Sequence, residues 1–185
     1  MEHPTKRERT TAALVHAALD LFERGGYEQT TVGEIARAAG VTEMTFFRHF
    51  PTKEAVLLDD PYDPELIAAV GARPASEPPF LRAARGVRGA WRSLPEPETP
   101  VIRRRIRIIA LTPSLRGAMW RSTGNTERAL VEQLVADGAA PAVARVAAAS
   151  VLAALVSGLY AWAEAPDGSL AEAIELALDV IDVRP

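Results

Sequence analysis

Between Thr31 and Phe50 the sequence fixes more of its own geometry than anywhere else in the chain. Thr31 stands at the head of an apolar-periodic run with Glu34 three residues on, which is the pattern of a capping box. Val32, Ile35, Ala36 and Ala39 recur at helical spacing and predict one buried side. Gly40 suits a left-handed helix stop, Val41 turns inward, and Thr42 is placed to cap a second short helix.

The second helix sorts its residues accordingly. Phe46 and Phe50, four apart, fall on the side of Val41 and predict a core contact. Thr42, Glu43, Met44, Thr45, Phe47, Arg48 and His49 are left for the outer face. Hydroxyls, a guanidinium, an imidazole and apolar groups together suit phosphates and base edges. Helix, glycine-containing turn and helix form a helix-turn-helix unit, whose second helix enters the DNA major groove. A plain helical hairpin is the alternative reading of the same turn.

The resemblance extends well beyond the turn. Ala17-Ala18-Leu19-Asp20-Leu21-Phe22 through Gly26-Tyr27, then Thr30-Thr31-Val32, Ile35-Ala36, Ala39-Gly40-Val41 and Arg48-His49-Phe50 to Lys53-Glu54 together resemble the N-terminal domain of the TetR family of transcriptional repressors. The similarity covers roughly the first third of the chain. It implies an all-α fold, with a three-helix DNA-binding domain over residues 1–53 and a helical ligand-binding and dimerisation domain over 54–185. It further implies a homodimer that holds a palindromic double-stranded operator and is released by a small-molecule ligand.

Carried over position by position, the resemblance gives Thr31 a phosphate at the start of the first helix of the pair. Thr42, Glu43, Met44, Thr45, Arg48 and His49 become the recognition surface, and Lys53 a backbone anchor. Phe47 stands where the family usually has a tyrosine, so a phosphate-binding hydroxyl is missing there. Met44 replaces a commonly small residue and suits a thymine methyl. Glu43 is the oddest member. A carboxylate near phosphates repels unless it accepts from a cytosine amino group, and surface pairing with Arg48 or Arg37 is the competing expectation. Arg48 is the first choice for reading a base, through a bidentate contact with guanine.

Charge gives the head little help. Across residues 1–53, Lys6, Arg7, Arg9, Arg24, Arg37, Arg48 and Lys53 are matched one for one by Glu2, Glu8, Asp20, Glu23, Glu28, Glu34 and Glu43. Phosphate neutralisation supplies most non-specific DNA affinity, so contact must be focused. The whole chain is 185 residues with a net charge of −3, which excludes bulk polyanion binding. It holds no cysteine, which excludes a disulfide framework and thiolate zinc, and fits a cytoplasmic protein. The polar N-terminus has no apolar run like that of a signal peptide.

The first helix is expected from about Thr5 to Arg24, with a stripe of Leu14, Ala17, Ala18, Leu21 and Phe22, Gly25-Gly26 as its stop and Tyr27 tucked over the end. Lys6, Arg7 and Arg9 open it, where the family's first helix approaches the DNA backbone. Beyond Lys53 a helix toward Gly71 is expected to break around Asp60-Pro61-Tyr62-Asp63-Pro64, with Asp63 as a new cap. The acidic group Asp59, Asp60, Asp63 and Glu65 reads as solvated caps rather than a metal site. Residues 71–79 have linker composition. Further helices are expected over Phe80–Leu94, closed by the prolines of 95–100, then over Val101–Leu111 and from Ser114 to about Asp137. In the second of these Ile102, Ile106 and Ile109 form a stripe, Arg103 and Arg107 point to solvent, and Arg105 turns partly inward. Trp91, Arg105, Met119 and Trp120 are the candidate ligand-lining residues, with plain core packing as the alternative for the aromatics.

Val146–Ala163 runs 18 residues without a charge. Its alanines, serines and Gly158 indicate a helix buried on nearly every side, as at an oligomer interface, rather than a membrane span. The last helix, Leu170–Val183, sets Leu170, Ile174, Ala177, Leu178 and Ile181 against a face of Glu172, Glu175, Asp179 and Asp182. By resemblance these last two helices build the dimer interface. No phosphate loop, nucleophile triad or histidine pair at metal spacing is present, so neither an enzyme nor a cofactor is expected. The competing class is an all-α small-molecule-binding or interaction protein without operator binding.

Overall fold

The computed structural model describes residues 5–59, 62–93, 99–165 and 167–182. Among these residues the chain forms α-helices and no strand: α1 (Lys6–Gly25), α2 (Val32–Ala38), α3 (Glu43–His49), α4 (Ala55–Leu58), α5 (Asp63–Gly71), α6 (Pro79–Ser93), α7 (Thr99–Leu111), α8 (Pro113–Ala136), α9 (Pro141–Glu164) and α10 (Leu170–Ile181). They divide into two compact units. Unit 1 comprises residues 1–59 with Arg104–Ala118, and unit 2 comprises 60–103 with 119–185, so the boundary falls inside α7 and α8.

Unit 1 grows from its caps. Thr5 accepts from the Glu8 amide and Glu8 returns to the Thr5 amide, closing a capping box that starts α1. The apolar stripe of α1 is Leu14, Val15, Ala18, Leu19 and Phe22. It lies one residue round the helix from the expected stripe, leaving Ala17 and Leu21 only half-buried. Both alignments obey three-and-four spacing, and the contact with α2 and α4 selects the one carrying Leu19. Gly26, at φ +83°, ends the helix. Tyr27 then turns back to meet Phe22 edge-to-face at 5.1 Å. Burial, then the charges of Glu54 and Glu28, pushes the Tyr27 phenol up to about 12.

The segment Arg104–Ala118 joins this unit through its own side chains. Arg104 on α7 donates to Glu23 Oε1 and Oε2 at 2.8 and 2.7 Å and to Asp20 Oδ1 at 2.6 Å, both acids on α1. Ser114, expected to open α8, is its second residue, and its hydroxyl donates to Glu28 at 2.5 Å. α7 stops at Leu111, and Pro113 begins α8, a position where its missing N–H costs nothing.

In unit 2, α6 and α9 pack together with α5 and α10 around Val70, Ala84, Val87, Val151 and Leu178. Arg82 is only 3% exposed. It caps α5 by donating to the carbonyls of Val70 and Gly71, at 3.1 and 3.2 Å, and pairs with Asp137 at 2.6 Å. Asp63 is the first residue of α5 and not its cap; its carboxylate accepts from Thr126 on α8 at 2.8 Å. Residues 60, 61 and 94–98, on which the expected proline breaks partly fall, lie outside the described residues.

Two expected solvent faces are engaged. Arg103 stacks over the Trp162 ring at 4.4 Å and donates to the carbonyls of Ala165 and Gly168. Glu175 and Asp179 on α10, and Asp182 just past its end, all face Arg88 of α6. Helix α9 is long and apolar enough by composition to cross a membrane, with a mean hydropathy of 1.9, but its length and composition alone carry that resemblance. Only 33% of its most apolar window is buried within the chain, short of the burial on nearly every side that composition suggested. Val143 and Val146 on α9, and Leu176 and Val180 on α10, are exposed.

Candidate nucleic-acid interface

The α2–α3 pair follows its caps. Thr31 accepts from the Glu34 amide at 3.2 Å while Glu34 accepts from the Thr31 amide at 2.8 Å. That backbone N–H, with the Thr31 hydroxyl, holds the Glu34 carboxyl below its usual value and keeps it ionised. Ala39 and Gly40 close α2, and Gly40 lies at φ +70°, where a side chain would be strained. The Val41 amide then reaches back to the Ala36 carbonyl at 2.9 Å, as in a helix-ending turn. Thr42 starts α3 by accepting from the Thr45 amide at 3.2 Å.

Phe46 and Phe50 are buried, with ring centroids 5.8 Å apart, and anchor α3 in unit 1. The remaining side chains segregate around α3. Thr42, Thr45, Arg48 and His49 line a cleft of about 690 Å³ together with Lys6, Arg7 and Thr10 of α1 and the turn residues Gly40 and Val41. Glu43, Met44 and Phe47 are not part of that lining. Met44 is 81% and Phe47 50% exposed, Phe47 resting edge-to-face on Phe46 at 5.5 Å. So cations gather on one side of the helix, and an acid and two apolar groups on the other.

His49 is tied to α1 by a 2.8 Å hydrogen bond between its Nδ1 and the Thr11 hydroxyl. Burial first, then the charges of Arg7 and Arg48, lowers its pKa below the ordinary histidine value. The folded state therefore takes up this proton less readily than the unfolded chain, and stability rises with pH through the window between the two pKa values. Below the lowered pKa the full penalty applies, and above the unfolded value none does. Thermal unfolding compared between wild type and His49→Gln should show an acid-side loss, as pH falls from 7 through 6, that the variant lacks. Phosphates placed in the cleft would favour the protonated ring, so DNA binding should strengthen over the same window.

Lys53 has a different environment from the one expected of a backbone anchor. Its Nζ donates to the carbonyls of Tyr27 and Thr30, at 2.8 and 2.9 Å, and sits 4.1 Å from the Tyr27 ring centroid. Two of its three donors thus hold the α1–α2 loop. Glu43 makes no ion pair among the described residues, which removes the expected pairing with Arg48 or Arg37. Its carboxylate lies instead against Gly33: a Cβ added there would come 2.6 Å from Oε1. Thr10 and Thr11 were not singled out in the sequence, because their role appears only once α1 crosses α3.

The four expected ligand-lining residues are shared between the two units. Arg105 belongs to unit 1, and Trp91, Met119 and Trp120 to unit 2. Trp91 meets Tyr62 edge-to-face at 5.7 Å, Met119 is half-buried, and Trp120 is 57% exposed. A smaller cleft in unit 2, of about 310 Å³, is lined by Glu77, Arg82, Asp137 and their neighbours and by none of the four.

A capped helix, a left-handed glycine, and a second short helix presenting a cationic cleft define a helix-turn-helix DNA-binding protein. The profile of bacterial regulatory proteins of the tetR family matches residues 14–59, and that of the MftR C-terminal domain matches residues 78–183, more than half of the chain. The chain belongs to the TetR family of transcriptional regulators. It is similar to MftR of Mycobacterium tuberculosis, whose name assigns it to transcriptional regulation of mycofactocin biosynthesis, with 26% identity over 95% of this chain and 91% of that protein. The regulator TcmR of Streptomyces glaucescens is 43% identical over 91 residues, 48% of this chain, which span only 38% of that relative. Among solved structures, NalD, the secondary repressor of the MexAB-OprM multidrug efflux pump in Pseudomonas aeruginosa, matches with a TM-score of 0.59 and 26% identity, covering 95% of this chain and 96% of that one. The names of these relatives are those of transcriptional regulators, and the family to which the chain belongs is one of regulators and not of enzymes.

Proposed function

We propose that the protein is a cytoplasmic, homodimeric repressor that holds a palindromic operator through α3 and releases it when a small molecule binds unit 2. The observation that carries this reading is the segregated surface of α3, with its cationic cleft beside α1. In it Thr42, Thr45, Arg48 and His49, with Lys6 and Arg7, grip phosphates, Thr31 holds a further phosphate at the start of α2, and Lys53 supports them from the loop it holds. Met44 and Phe47 meet apolar base edges, Met44 a thymine methyl. Arg48 sits among cations facing one cleft, which favours a phosphate over the guanine first expected for it. Arg48→Ala should then weaken binding to all sequences alike and lower the slope of log affinity against log salt by about one. A loss confined to one base position would return Arg48 to base reading.

The dimer is proposed to form through α9 and α10, where Val143, Val146, Leu176 and Val180 are exposed. An apolar helix only partly covered in its own protomer gains most from a like surface, and interfaces of obligate dimers are large and apolar. A Val146→Glu, Leu176→Glu double variant should sediment as a monomer and lose operator binding, while keeping the helical content of the wild type. A wild-type protein that is already monomeric at micromolar concentration, or that partitions into vesicles, would contradict this assignment. For the ligand, half-buried Trp91 and Met119 support a lodging place within unit 2. Release follows if that ligand favours a dimer whose recognition helices are wrongly spaced, in proportion to its affinities for the two states.

A further inference from the structure

We infer that Glu43 selects a cytosine in each operator half-site, and that the missing side chain of Gly33 leaves room for its carboxylate to lie as it does. The inference rests on α3 being the reading helix and names what one of its residues reads. Glu43 is the first residue of α3, and the N-terminal residues of a recognition helix are the ones that reach base edges. It lies outside the cationic cleft formed by Lys6, Arg7, Arg48 and His49, so it is not among the groups that gather phosphates. Neutralisation by a neighbour does not occupy it, since no ion pair to it exists among the described residues. Its carboxylate rests on α2, with Oε1 where a Cβ of residue 33 would collide at 2.6 Å and Cδ at 3.5 Å. The carboxylate can lie there only because residue 33 carries no side chain, which ties its placement to a second position.

The chemistry of the groove then decides the base. An ionised carboxylate only accepts hydrogen bonds. Guanine offers N7 and O6 and thymine offers O4, all acceptors, so both repel it. Adenine offers one donor, N6, beside the acceptor N7, so one carboxylate oxygen is satisfied and the other opposed. Cytosine presents its N4 amino donor beside a C–H edge, with no acceptor on that base alongside. Glu43 therefore discriminates chiefly by what it rejects, which suits a head with no net charge to spare on sequence-independent attraction.

The test is selection of binding sites from randomised duplex DNA by wild type, Glu43→Gln and Gly33→Ala in parallel. Glutamine keeps the shape of the side chain but pairs bidentately with adenine N6 and N7. Wild type should enrich half-sites with one fixed cytosine, and Glu43→Gln should turn that position toward adenine, with discrimination changed by about 5- to 150-fold. Gly33→Ala meets only the flexible end of a side chain, so it should fold normally and blur the same position. A selected motif in which no position responds to Glu43→Gln would overturn the inference and leave DNA reading by α3 intact. Failure of the wild type to enrich any motif would overturn both.

Discussion

Replacing Phe46 with alanine should unfold the α2–α3 pair from unit 1 rather than merely weaken it. Phe46 is fully buried, and its ring lies against Phe50 at 5.8 Å and Phe47 at 5.5 Å. Truncating a buried phenylalanine costs about 3–5 kcal/mol, transfer and cavity together. A unit of this size is stable by only about 0.05–0.15 kcal/mol per residue, so the loss approaches the whole margin. Amide exchange in Phe46→Ala should show residues of α2 and α3 opening while α6 and α9 keep their protection. A change in unfolding free energy of less than about 1 kcal/mol would mean that α3 is held by something other than its aromatic anchor.

Gly86→Ala should destabilise unit 2 by about 1–3 kcal/mol, although alanine is the better helix former by roughly 1 kcal/mol. A Cβ at residue 86 would lie 2.6 Å from Val70 Cα and Cγ2 and 2.9 Å from Val70 N. Most of that obstacle is backbone, so α5 and α6 would have to separate. Gly89, one turn further along α6, has nothing within 4 Å of such a Cβ. Gly89→Ala should therefore stabilise the protein by about 0.5–1 kcal/mol. Denaturant unfolding of the two variants side by side gives shifts of opposite sign if the α5–α6 approach is as close as described. Shifts of the same sign would contradict it.

How much of this was legible in advance depended on whether the signal was local. The capping pair Thr31–Glu34 and the stop at Gly40 are each set within a few residues, and each stands where its spacing puts it. The division of α3 into an aromatic anchor and an outer face followed from period alone. Arg103 was read as solvated because helical spacing shows only which residues share a side, not that Trp162 would approach from α9. Arg104 and Ser114 belong to the same class, since their partners Asp20, Glu23 and Glu28 lie more than 80 residues away in sequence. Lys53 is instructive in another way: position within a resemblance assigned it to DNA, and no local spacing shows that it also holds the Tyr27 and Thr30 carbonyls. The outward side of α9 could be judged apolar from sequence, but that it stays largely uncovered by its own chain could not.

The central claim is that α3 and its cleft read DNA, and a footprint tests it most directly. Purified protein would be titrated onto DNA from upstream of its own gene, at 50 and 200 mM salt, with Arg48→Ala alongside. The expected result is protection of two half-sites with centres about one helical turn apart, since a two-fold dimer spaces its recognition helices so. Protection should weaken by orders of magnitude at the higher salt and weaken further in the variant. Wild-type protein that protects no fragment at 50 mM salt, or binds with no dependence on Arg48 or on salt, would contradict the account.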